Sequence, residues 1–585
     1  MTVYDTDPSP RHPSNGRLAD LFETIAGYLA LEGGSTYRIS AYKKAAELFR
    51  RYPLSIADTA LRGELRDLPG VGAGIEAKVL EFITTGDIVL LANLRGRFPE
   101  GLLEVMRLPG VGPKTARRLW ETLAISDTNS LEKACREGRI SELPGMGEKS
   151  QAKLVRALES RAATTRADEE SGRALLADLQ PQAQVLRDAL RALPVVSVAD
   201  YAGSLRRRRS MVRDIDLVAG STDPRAVMDA FALLPQLAHV DQRGDTKLTA
   251  VTHTGRNVDL RIVPPESYGN LLQHSTGSTA HNVALRGYAQ RRGLKLSEYH
   301  IEEPATGRHI TCAVETAVYD ALNLDYIPPE LREDQGEIEA AEKGELPRLI
   351  ERADLRGDLH VHSNWTDGRA SMEEMALAAQ ESGLDYLCFC DHSQALAMTG
   401  GLNPDRLLAQ IQAIRELDSR LSIKVLAGIE VDILLDGRID LPDDILAQLD
   451  FVTASIHSGL RQSRDEIMRR LLGAMRNQHV DSIAHPTGRL LNRRRPYEVD
   501  LDTIARVAAE TGTYLEINGS PERLDLDAAS ARRAVALGAT LVICSDAHHP
   551  DEFTNLAAGV DEARRGWIRA ADVANTRPWT TLTGD

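Results

Sequence analysis

The chain has 585 residues and a formal net charge of -15, with 85 acidic and 70 basic side chains. This length predicts several domains, and the acidic balance disfavours broad nonspecific binding to polyanions while leaving local recognition open. The five cysteines show no CxxC spacing, which favours a reducing compartment. Without a membrane-length apolar stretch or a signal-peptide core, the sequence predicts a cytoplasmic protein with no membrane partner.

Two helical regions, residues 1–95 and 96–168, carry a repeated LPGxG motif. It occurs as LPGVG at Leu68 and Leu108 and as LPGMG at Leu143, each followed by a helical stretch containing Lys or Arg. Glycine permits a tight turn, and the amides that open the next helix can bind a phosphate. One copy alone is also typical of an ordinary turn between helices, but three favour helix-hairpin-helix binding of DNA. The candidate DNA contacts are Gly70, Gly72, Gly110, Gly112, Lys114, Gly145 and Gly147.

Residues 169–262 predict a mixed sheet with helices that carries three acidic residues. Asp214 and Asp216 lie two apart on an apolar strand, and NVDLRIVP supplies Asp259 from another strand. Carboxylates on one sheet face repel each other unless divalent cations are present, and two ions there suit nucleotidyl transfer. The preceding GSLRRRR segment, from Gly203, offers hydroxyl, amide and guanidinium donors for phosphate. The alternative for RRRR alone is a solvated charge run.

These residues resemble the nucleotidyltransferase palm of X-family DNA polymerases. The resemblance extends from about Leu18 to Ala341 and includes AYKKAAELFRRYP in the N-terminal helices and TGSTAHNVALRGYA in a small thumb, residues 263–335. It implies that Asp214, Asp216 and Asp259 hold catalytic Mg²⁺ or Mn²⁺. It further implies that Ser204 and Arg207 contact the incoming triphosphate. The nucleotide-binding candidates are Gly203, Ser204, Arg207, Arg261, Gly277, Asn282 and Arg286.

The chain departs from the family pattern just before the TGS motif. Where relatives commonly have an aromatic pair, this chain has His274 and Ser275. Without the aromatic pair, the site lacks a flat surface beneath the sugar of the incoming nucleotide. The sequence therefore predicts weak polymerisation, or polymerisation that tolerates ribonucleotides.

Lys78 matches the lysine that forms a Schiff base with a 5'-deoxyribose phosphate in relatives with lyase activity. Such a lysine attacks as the free amine, which requires a lowered pKa. The supporting pattern is incomplete, because Gly74 stands where relatives often have Lys. A surface lysine on a helix is the alternative, so Lys78 is only a candidate catalytic residue.

After a predicted exposed linker, residues 336–355, the segment 356–585 places histidines and carboxylates after short apolar runs. Side chains two apart on a strand share a side, so His360 and His362 are expected to converge, while Leu359 and Val361 face the packing layer. Function in βα barrels collects at the carboxyl ends of strands. A single HxH is a weak signal, but here the pattern recurs. The candidate metal ligands are His360, His362, Asp367, His392, Glu430, His457, His485, Asp546 and His548.

From about Leu355 onward these motifs resemble the polymerase and histidinol phosphatase (PHP) domain. The resemblance implies a distorted seven-stranded (β/α)7 barrel with a multinuclear phosphoesterase centre. The mixed nitrogen and oxygen ligands favour Mn²⁺, Zn²⁺ or Fe, and the expected reaction is phosphoester hydrolysis.

The whole chain is identified as a member of the bacterial X-family DNA polymerases with a C-terminal PHP domain. The expected function is DNA repair: a monomer that fills gaps or extends nicks with deoxynucleoside triphosphates and processes 3' ends as a 3'-5' exonuclease. Two alternatives remain open. One is mainly a 3'-processing nuclease or abasic-site endonuclease with a weak polymerase centre, and the other is a noncatalytic scaffold that binds DNA ends.

Overall fold

The computed structural model describes residues 13–582, except 53, 107, 109–110, 142, 144–145, 149–150, 153, 156–157 and 159–171. The candidates Gly110 and Gly145 therefore lie outside the described residues. The described chain forms two compact units. The first comprises the chain up to Ala174 together with Asp178–Tyr201 and Arg213–Pro265, and the second comprises Leu175–Ala177, Ala202–Val212 and the chain from Glu266 onward.

The N-terminal part of the first unit is helical, as the sequence predicts. Serine side chains cap its first three helices by accepting hydrogen bonds from backbone N–H groups, which satisfies donors that a helix leaves free at its start. Phe22 packs edge-on against Phe49 in the shared core. The helices are α1 Asn15–Glu32, α2 Thr36–Arg51, α3 Ile56–Leu61, α4 Ala73–Thr85, α5 Val89–Arg95, α6 Gly101–Met106, α7 Pro113–Leu123 and α8 Thr128–Arg136.

A five-stranded sheet completes the first unit, in the order β2-β4-β7-β6-β5. β4 and β7 are parallel, whereas the other neighbours are antiparallel. The elements of this part of the chain are β1 Ala174–Leu175, α9 Leu176–Arg191, β2 Val198–Tyr201, α10 Gly203–Arg206, β3 Met211–Val212, β4 Ile215–Gly220, α11 Pro224–Phe231, β5 Leu237–Arg243, β6 Lys247–Thr252 and β7 Asn257–Val263.

The second unit begins with a small helical region and a three-stranded antiparallel sheet in the order β10-β9-β8. Leu285, Tyr319 and Ile327 lie in its core. Its elements are α12 Tyr268–Thr276, α13 Thr279–Arg291, β8 Lys295–Leu296, β9 Ile301–Glu303, β10 Arg308–Ile310, α14 Thr316–Ala321 and α15 Glu337–Lys343.

The predicted exposure of the linker holds for only part of residues 336–355. Ile338 and Ala341 on α15 and Leu349 beyond it are each at most 5% exposed and pack into the same core. Glu337 is also buried, because it accepts hydrogen bonds from the backbone N–H groups of Asp334 and Gln335. The Glu and Lys content suggested solvent exposure, but the apolar residues between them face the core.

The rest of the second unit is a seven-stranded parallel sheet in sequential order from β11 to β17. A parallel bridge between Val361 and Ala547 joins the end of the first strand to the segment just after the last strand, so the predicted distorted barrel is confirmed. The strands are β11 Gly357–Val361, β12 Tyr386–Phe389, β13 Lys424–Asp432, β14 Phe451–Ser455, β15 Ser482–Ile483, β16 Tyr514–Asn518 and β17 Leu541–Cys544. The helices are α16 Met372–Glu381, α17 Pro404–Asp418, α18 Asp443–Leu446, α19 Arg464–Met475, α20 Leu501–Thr511, α21 Ala528–Ala536 and α22 Asn555–Arg565.

The first barrel strand departs from simple alternation. The register between β11 and β12 shifts between Asp358 and Val361. Leu359 consequently belongs to one apolar cluster, with Tyr386 and Cys388, while Val361 belongs to the larger one. The expectation that Leu359 and Val361 face the same layer is therefore wrong, because the register shift reverses the alternation of side chains beyond it.

No helix in the described part of the chain combines the length and the hydropathy that a membrane crossing requires.

Candidate functional site

The candidate ligands of the barrel all lie at the carboxyl ends of its strands or just beyond them. His360 lies on β11, with His362 directly after it, and Glu430 lies on β13. His392 follows β12, and His457 follows β14. His485, Asp546 and His548 come just after β15 and β17, and Asp367 lies in the loop between β11 and α16. Parallel strands bring these positions to one rim.

Glu430 lies at the middle of the cluster. Its carboxylate is 2.8 Å from His392 Nδ1, 3.1 Å from His485 Nε2 and 3.4 Å from His457 Nε2. The Nε2 atoms of His360 and His362 lie 3.6 and 3.8 Å from Glu430 Oε2. One buried carboxylate is thus within reach of five imidazoles.

A second carboxylate, Asp367, faces the open side of the rim. Its oxygens lie 3.3 Å from His392 Nε2, 3.6 Å from His548 Nε2 and 3.8 Å from His362 Nδ1. Asp367 and His548 are 32% and 28% exposed, whereas His360 and His362 are at most 1% exposed. Solvent therefore reaches the cluster from the Asp367 end.

The side chains fit a multinuclear metal centre. Among the described residues, three overlapping groups have ligand atoms that all lie within 4.8 Å of one another. They are His362 with Asp367, His392 and His548; His360 with His362 and Glu430; and His392 with Glu430 and His457. Buried polar atoms normally have hydrogen-bond partners. Here His360 Nε2 and both ring nitrogens of His362 have none, as is expected of atoms placed to bind cations.

The rim groups strongly perturb each other's ionisation. Burial opposes charge on His392, but Glu430 and Asp367 raise its pKa to about 10. Burial likewise opposes charge on His548, yet Asp367 and Asp546 raise its pKa to about 9. Burial and the neighbouring imidazoles lower the pKa of His362 to about 3. Despite its burial, Glu430 has a pKa well below its usual range because of the histidines around it.

The structure also shows buried polar residues that the sequence interpretation did not assign to the site. Glu516 on β16 accepts a hydrogen bond from His360 Nδ1 at 2.7 Å. Asp391 accepts from Ser363 and Thr366 in the loop that follows His362. Asp358 accepts from the backbone N–H of His360 at 3.2 Å. An isolated acidic residue within an otherwise apolar strand, as in YLEIN, was the available signal for Glu516.

The acidic residues of the five-stranded sheet lie as neighbours in register. Asp216 on β4 pairs with Asp259 on the adjacent parallel strand β7, and Asp214 directly precedes β4. Asp259 Oδ1 lies 3.8 Å from Lys247 Nζ, and Asn257 donates to Asp214 Oδ1 at 3.3 Å. Arg261 is two residues beyond Asp259 on β7. The three acidic residues are not among the groups whose ligand atoms lie within 4.8 Å of one another.

The arginines of the GSLRRRR segment are bound to carboxylates, so the alternative of a solvated charge run is wrong. Arg206 forms a two-pronged ion pair with Glu315, both contacts being 2.8 Å, and also donates to Thr276 Oγ1. Arg207 donates to Glu333 at 2.9 Å and to the carbonyl of Thr276 at 2.8 Å. Gly203, with φ of 60°, begins the short helix α10, and Ser204 beside it is half-buried.

The nucleotide-binding candidates of the thumb lie on or beside α13. Asn282 and Arg286 are one turn apart on this helix, and Asn282 Nδ2 donates to the carbonyls of His274 and Gly277. A Cβ at Gly277 would lie 2.6 Å from His281 Cδ2 and 2.7 Å from Asn282 Oδ1, so any other residue there would have to displace these two side chains. His274 lies near the end of α12 with its Nε2 3.7 Å from Glu298.

The described parts of the LPGxG motifs bury their apolar residues and expose their glycines. Val71 and Val111 are core residues, while Gly72, Gly112 and Gly147 are exposed with open space around them. Gly70 has φ of 80° in the turn before α4.

Two lysines of this region differ in their surroundings. Lys114 is exposed on the first turn of α7. Lys78 lies on α4, 28% exposed, and its Nζ is 2.5 Å from Glu81 Oε2. The role of Lys78 as a lyase nucleophile stays a prediction.

Comparisons with known families cover most of the chain. A helix-hairpin-helix domain matches residues 13–88, and a SAM-like helix-hairpin-helix tandem matches residues 102–160. The DNA polymerase beta thumb matches residues 271–333, and the PHP domain matches residues 358–520.

Similar proteins fall into two kinds. A probable phosphatase of Thermoanaerobacter sp. strain X514 is 30% identical over 33% of this chain and 78% of its own length. Another, from Caldicellulosiruptor bescii, is 35% identical over 28% of this chain and 66% of its own length. The DNA polymerase/3'-5' exonuclease PolX of Bacillus subtilis strain 168 is 37% identical over 560 residues, which are 95% of this chain and 96% of that protein. With a match over nearly the whole of both proteins, this chain belongs to the PolX family of DNA polymerase/3'-5' exonucleases.

Proposed function

We propose that the chain carries out its two activities with two separate sets of residues, and that it acts on gapped or nicked DNA. Asp214, Asp216 and Asp259 serve nucleotide addition, and the histidines and carboxylates of the barrel rim serve removal of the 3' nucleotide. The observation that carries this proposal is the buried rim cluster, in which His360 Nε2 and both ring nitrogens of His362 have no hydrogen-bond partner. The chain is a divalent-metal-dependent enzyme, and Mn²⁺ is the proposed ion of the rim.

At the barrel rim, His360, His362, His392, His457, His485 and His548 would hold the ions together with Asp367, Glu430 and Asp546. Bound ions supply the activation of water and the neutralisation of charge on the phosphate. The protein contributes fixed geometry: Glu430 and the rim histidines are held by one another and by the strand ends. The more exposed Asp367 and His548 mark the side from which a 3' end enters.

At the polymerase site, Asp216 and Asp259 project from paired positions of neighbouring strands. They are proposed to hold Mg²⁺ or Mn²⁺ with Asp214, while Ser204 and Arg207 bind the triphosphate of the incoming deoxynucleotide. Exposed glycines at 72, 112 and 147 support contact between the hairpin amides and the DNA backbone, which needs no excess of basic side chains.

A pair of single variants tests this assignment on gapped DNA carrying a mismatched 3' end. Asp214→Ala should lose primer extension and retain 3' degradation, and His360→Ala should do the reverse. Each affected activity should fall by more than roughly 100-fold, which is the loss that removing an outer-shell partner of a metal ligand can cause. Extension and degradation are measured on the same labelled primer.

Matched controls are available on the same parts of the fold. Asp241→Ala changes an exposed carboxylate of the sheet, 52% exposed, and His479→Ala changes a histidine in the turn after α19. Both should leave both activities intact. Loss of both activities in either test variant would contradict the division into two sets of residues. Unchanged 3' degradation in His360→Ala would show that the rim takes no part in that reaction.

A further inference from the structure

One buried carboxylate outside the candidate ligand set holds two candidate ligands at once. Glu516 is 1% exposed. Its Oε1 lies 2.7 Å from His360 Nδ1, and its Oε2 accepts a hydrogen bond from the backbone N–H of His485 at 2.6 Å. Glu516 on β16 therefore ties the side chain that comes from β11 to the backbone that follows β15.

The contact with His360 determines which ring nitrogen faces the cluster. When Nδ1 donates its hydrogen to Glu516, Nε2 presents a lone pair. That Nε2 lies 3.6 Å from Glu430 and 3.7 Å from Asp546 and has no hydrogen-bond partner. A carboxylate that fixes the outer nitrogen of a histidine orients the ring toward a cation.

The contact with His485 holds an uncommon backbone conformation. His485 has φ of 31°, a region that residues other than glycine seldom occupy. The hydrogen bond from its N–H to Glu516 keeps this turn in place. Its Nε2 then lies 3.1 Å from Glu430 Oε1.

The same network reaches a third candidate ligand. Asn518, two residues beyond Glu516 on β16, donates to Glu516 Oε2 at 3.2 Å and to Asp546 Oδ2 at 3.0 Å. Glu516 is therefore the point at which groups from three different strand ends are held in one arrangement.

We propose that Glu516 is a positioning residue of the exonuclease centre, setting His360 and His485 in the geometry that binds cations. The inference rests on the proposed metal-binding role of the rim. The inference predicts that altering this carboxylate lowers the affinity of the full-length chain for metal, even though the ligands themselves are unchanged.

The test is Glu516→Gln in the full-length chain. Glutamine keeps the length of the side chain but has one acceptor oxygen instead of two and no charge. We expect the affinity for Mn²⁺ to fall about 10- to 100-fold, measured by calorimetric titration and by metal content after dialysis. Because the ligands remain, saturating Mn²⁺ should restore 3' degradation in Glu516→Gln but not in His360→Ala.

The control is Asp481→Asn, a half-buried carboxylate directly before β15, at the opposite end of the barrel strands, which accepts a hydrogen bond from the backbone N–H of Val452 at 2.7 Å. It should keep the wild-type affinity for Mn²⁺. Unchanged Mn²⁺ affinity in Glu516→Gln, or an equal loss in Asp481→Asn, would overturn the inference. If Glu516→Gln does not fold, Glu516→Asp takes its place: its shorter side chain should lower affinity while charge and both oxygens remain, and wild-type affinity there would also overturn the inference. A wild-type chain that binds no Mn²⁺ would instead contradict the proposed function.

Discussion

Glu315 shows how a single buried charge organises the region around the nucleotide-binding candidates. Its carboxylate is paired with Arg206 and Arg332 and accepts a hydrogen bond from Tyr326 at 2.8 Å. Burial opposes ionisation of Glu315, but Arg332 and Arg206 lower its pKa from 4.5 to about 2. A buried charge in this setting is stable only while its partners are present.

Replacing Glu315 by glutamine should destabilise the second unit strongly. The variant leaves Arg206 and the fully buried Arg332 without a compensating carboxylate. Breaking a buried pair in this way costs about 3 kcal/mol or more. Glu342→Gln, which removes the exposed partner of Arg292, should cost less than about 1 kcal/mol. Urea unfolding of both variants measures the difference.

The effect of Glu315 should also depend on pH in a defined direction. Because the pKa in the folded protein is about 2 and the ordinary value is 4.5, the stabilisation is fully present above 4.5 and is lost as the pH falls toward 2. The difference in unfolding free energy between the wild type and Glu315→Gln should shrink over that window. A difference that stays constant across it would show that the carboxylate is not the titrating group.

At the scale of elements, the contact between β11 and β12 depends on one glycine. Gly357 pairs with Tyr386 across the two strands, and a Cβ on Gly357 would lie 2.0 Å from the Tyr386 ring. β11 also carries His360, so the position of the Tyr386 ring and that of this first candidate ligand both depend on the pairing of β11 with β12. Any side chain at position 357 must displace a buried tyrosine.

Gly357→Ala should therefore lower the stability of the barrel by about 1–3 kcal/mol, the usual cost of overpacking. Gly287→Ala is the matched control, because a Cβ at that position of α13 meets only the Arg291 guanidinium at 3.7 Å. It should be neutral or stabilising by up to about 1 kcal/mol, since alanine favours a helix over glycine. Thermal unfolding followed by circular dichroism distinguishes them, and equal effects would refute the role of the Tyr386 contact.

At the scale of the whole molecule, the two compact units have separate apolar cores. The N-terminal helices share one core around Phe22 and Phe49, and the barrel has another. A ligand that binds only the folded state stabilises the unit that holds its site. Metal binding at the rim should therefore act on the barrel and not on the helices.

Adding Mn²⁺ at about 100 times its Kd should stabilise the barrel by about 2.7 kcal/mol. Scanning calorimetry should show the barrel transition rise by several degrees while the transition of the N-terminal helices stays in place. His360→Ala should abolish the shift, and Asp214→Ala should retain it. A shift that persists in His360→Ala would place the stabilising ion elsewhere.

The order of the parts and the positions of the rim residues can be predicted from the sequence alone, because period-two alternation and short apolar runs predict where strands end. The register shift that separates Leu359 from Val361 cannot be predicted in this way, since it depends on pairing with β12. The burial of Glu337 and the pairing of Arg206 with Glu315, residues 109 positions apart, likewise depend on contacts that form only in the folded chain. The contact between Glu516 and His360 joins residues 156 positions apart and could not be predicted from the sequence, because distant segments set the environment of a polar side chain. Local periodicity, in contrast, depends only on neighbouring residues.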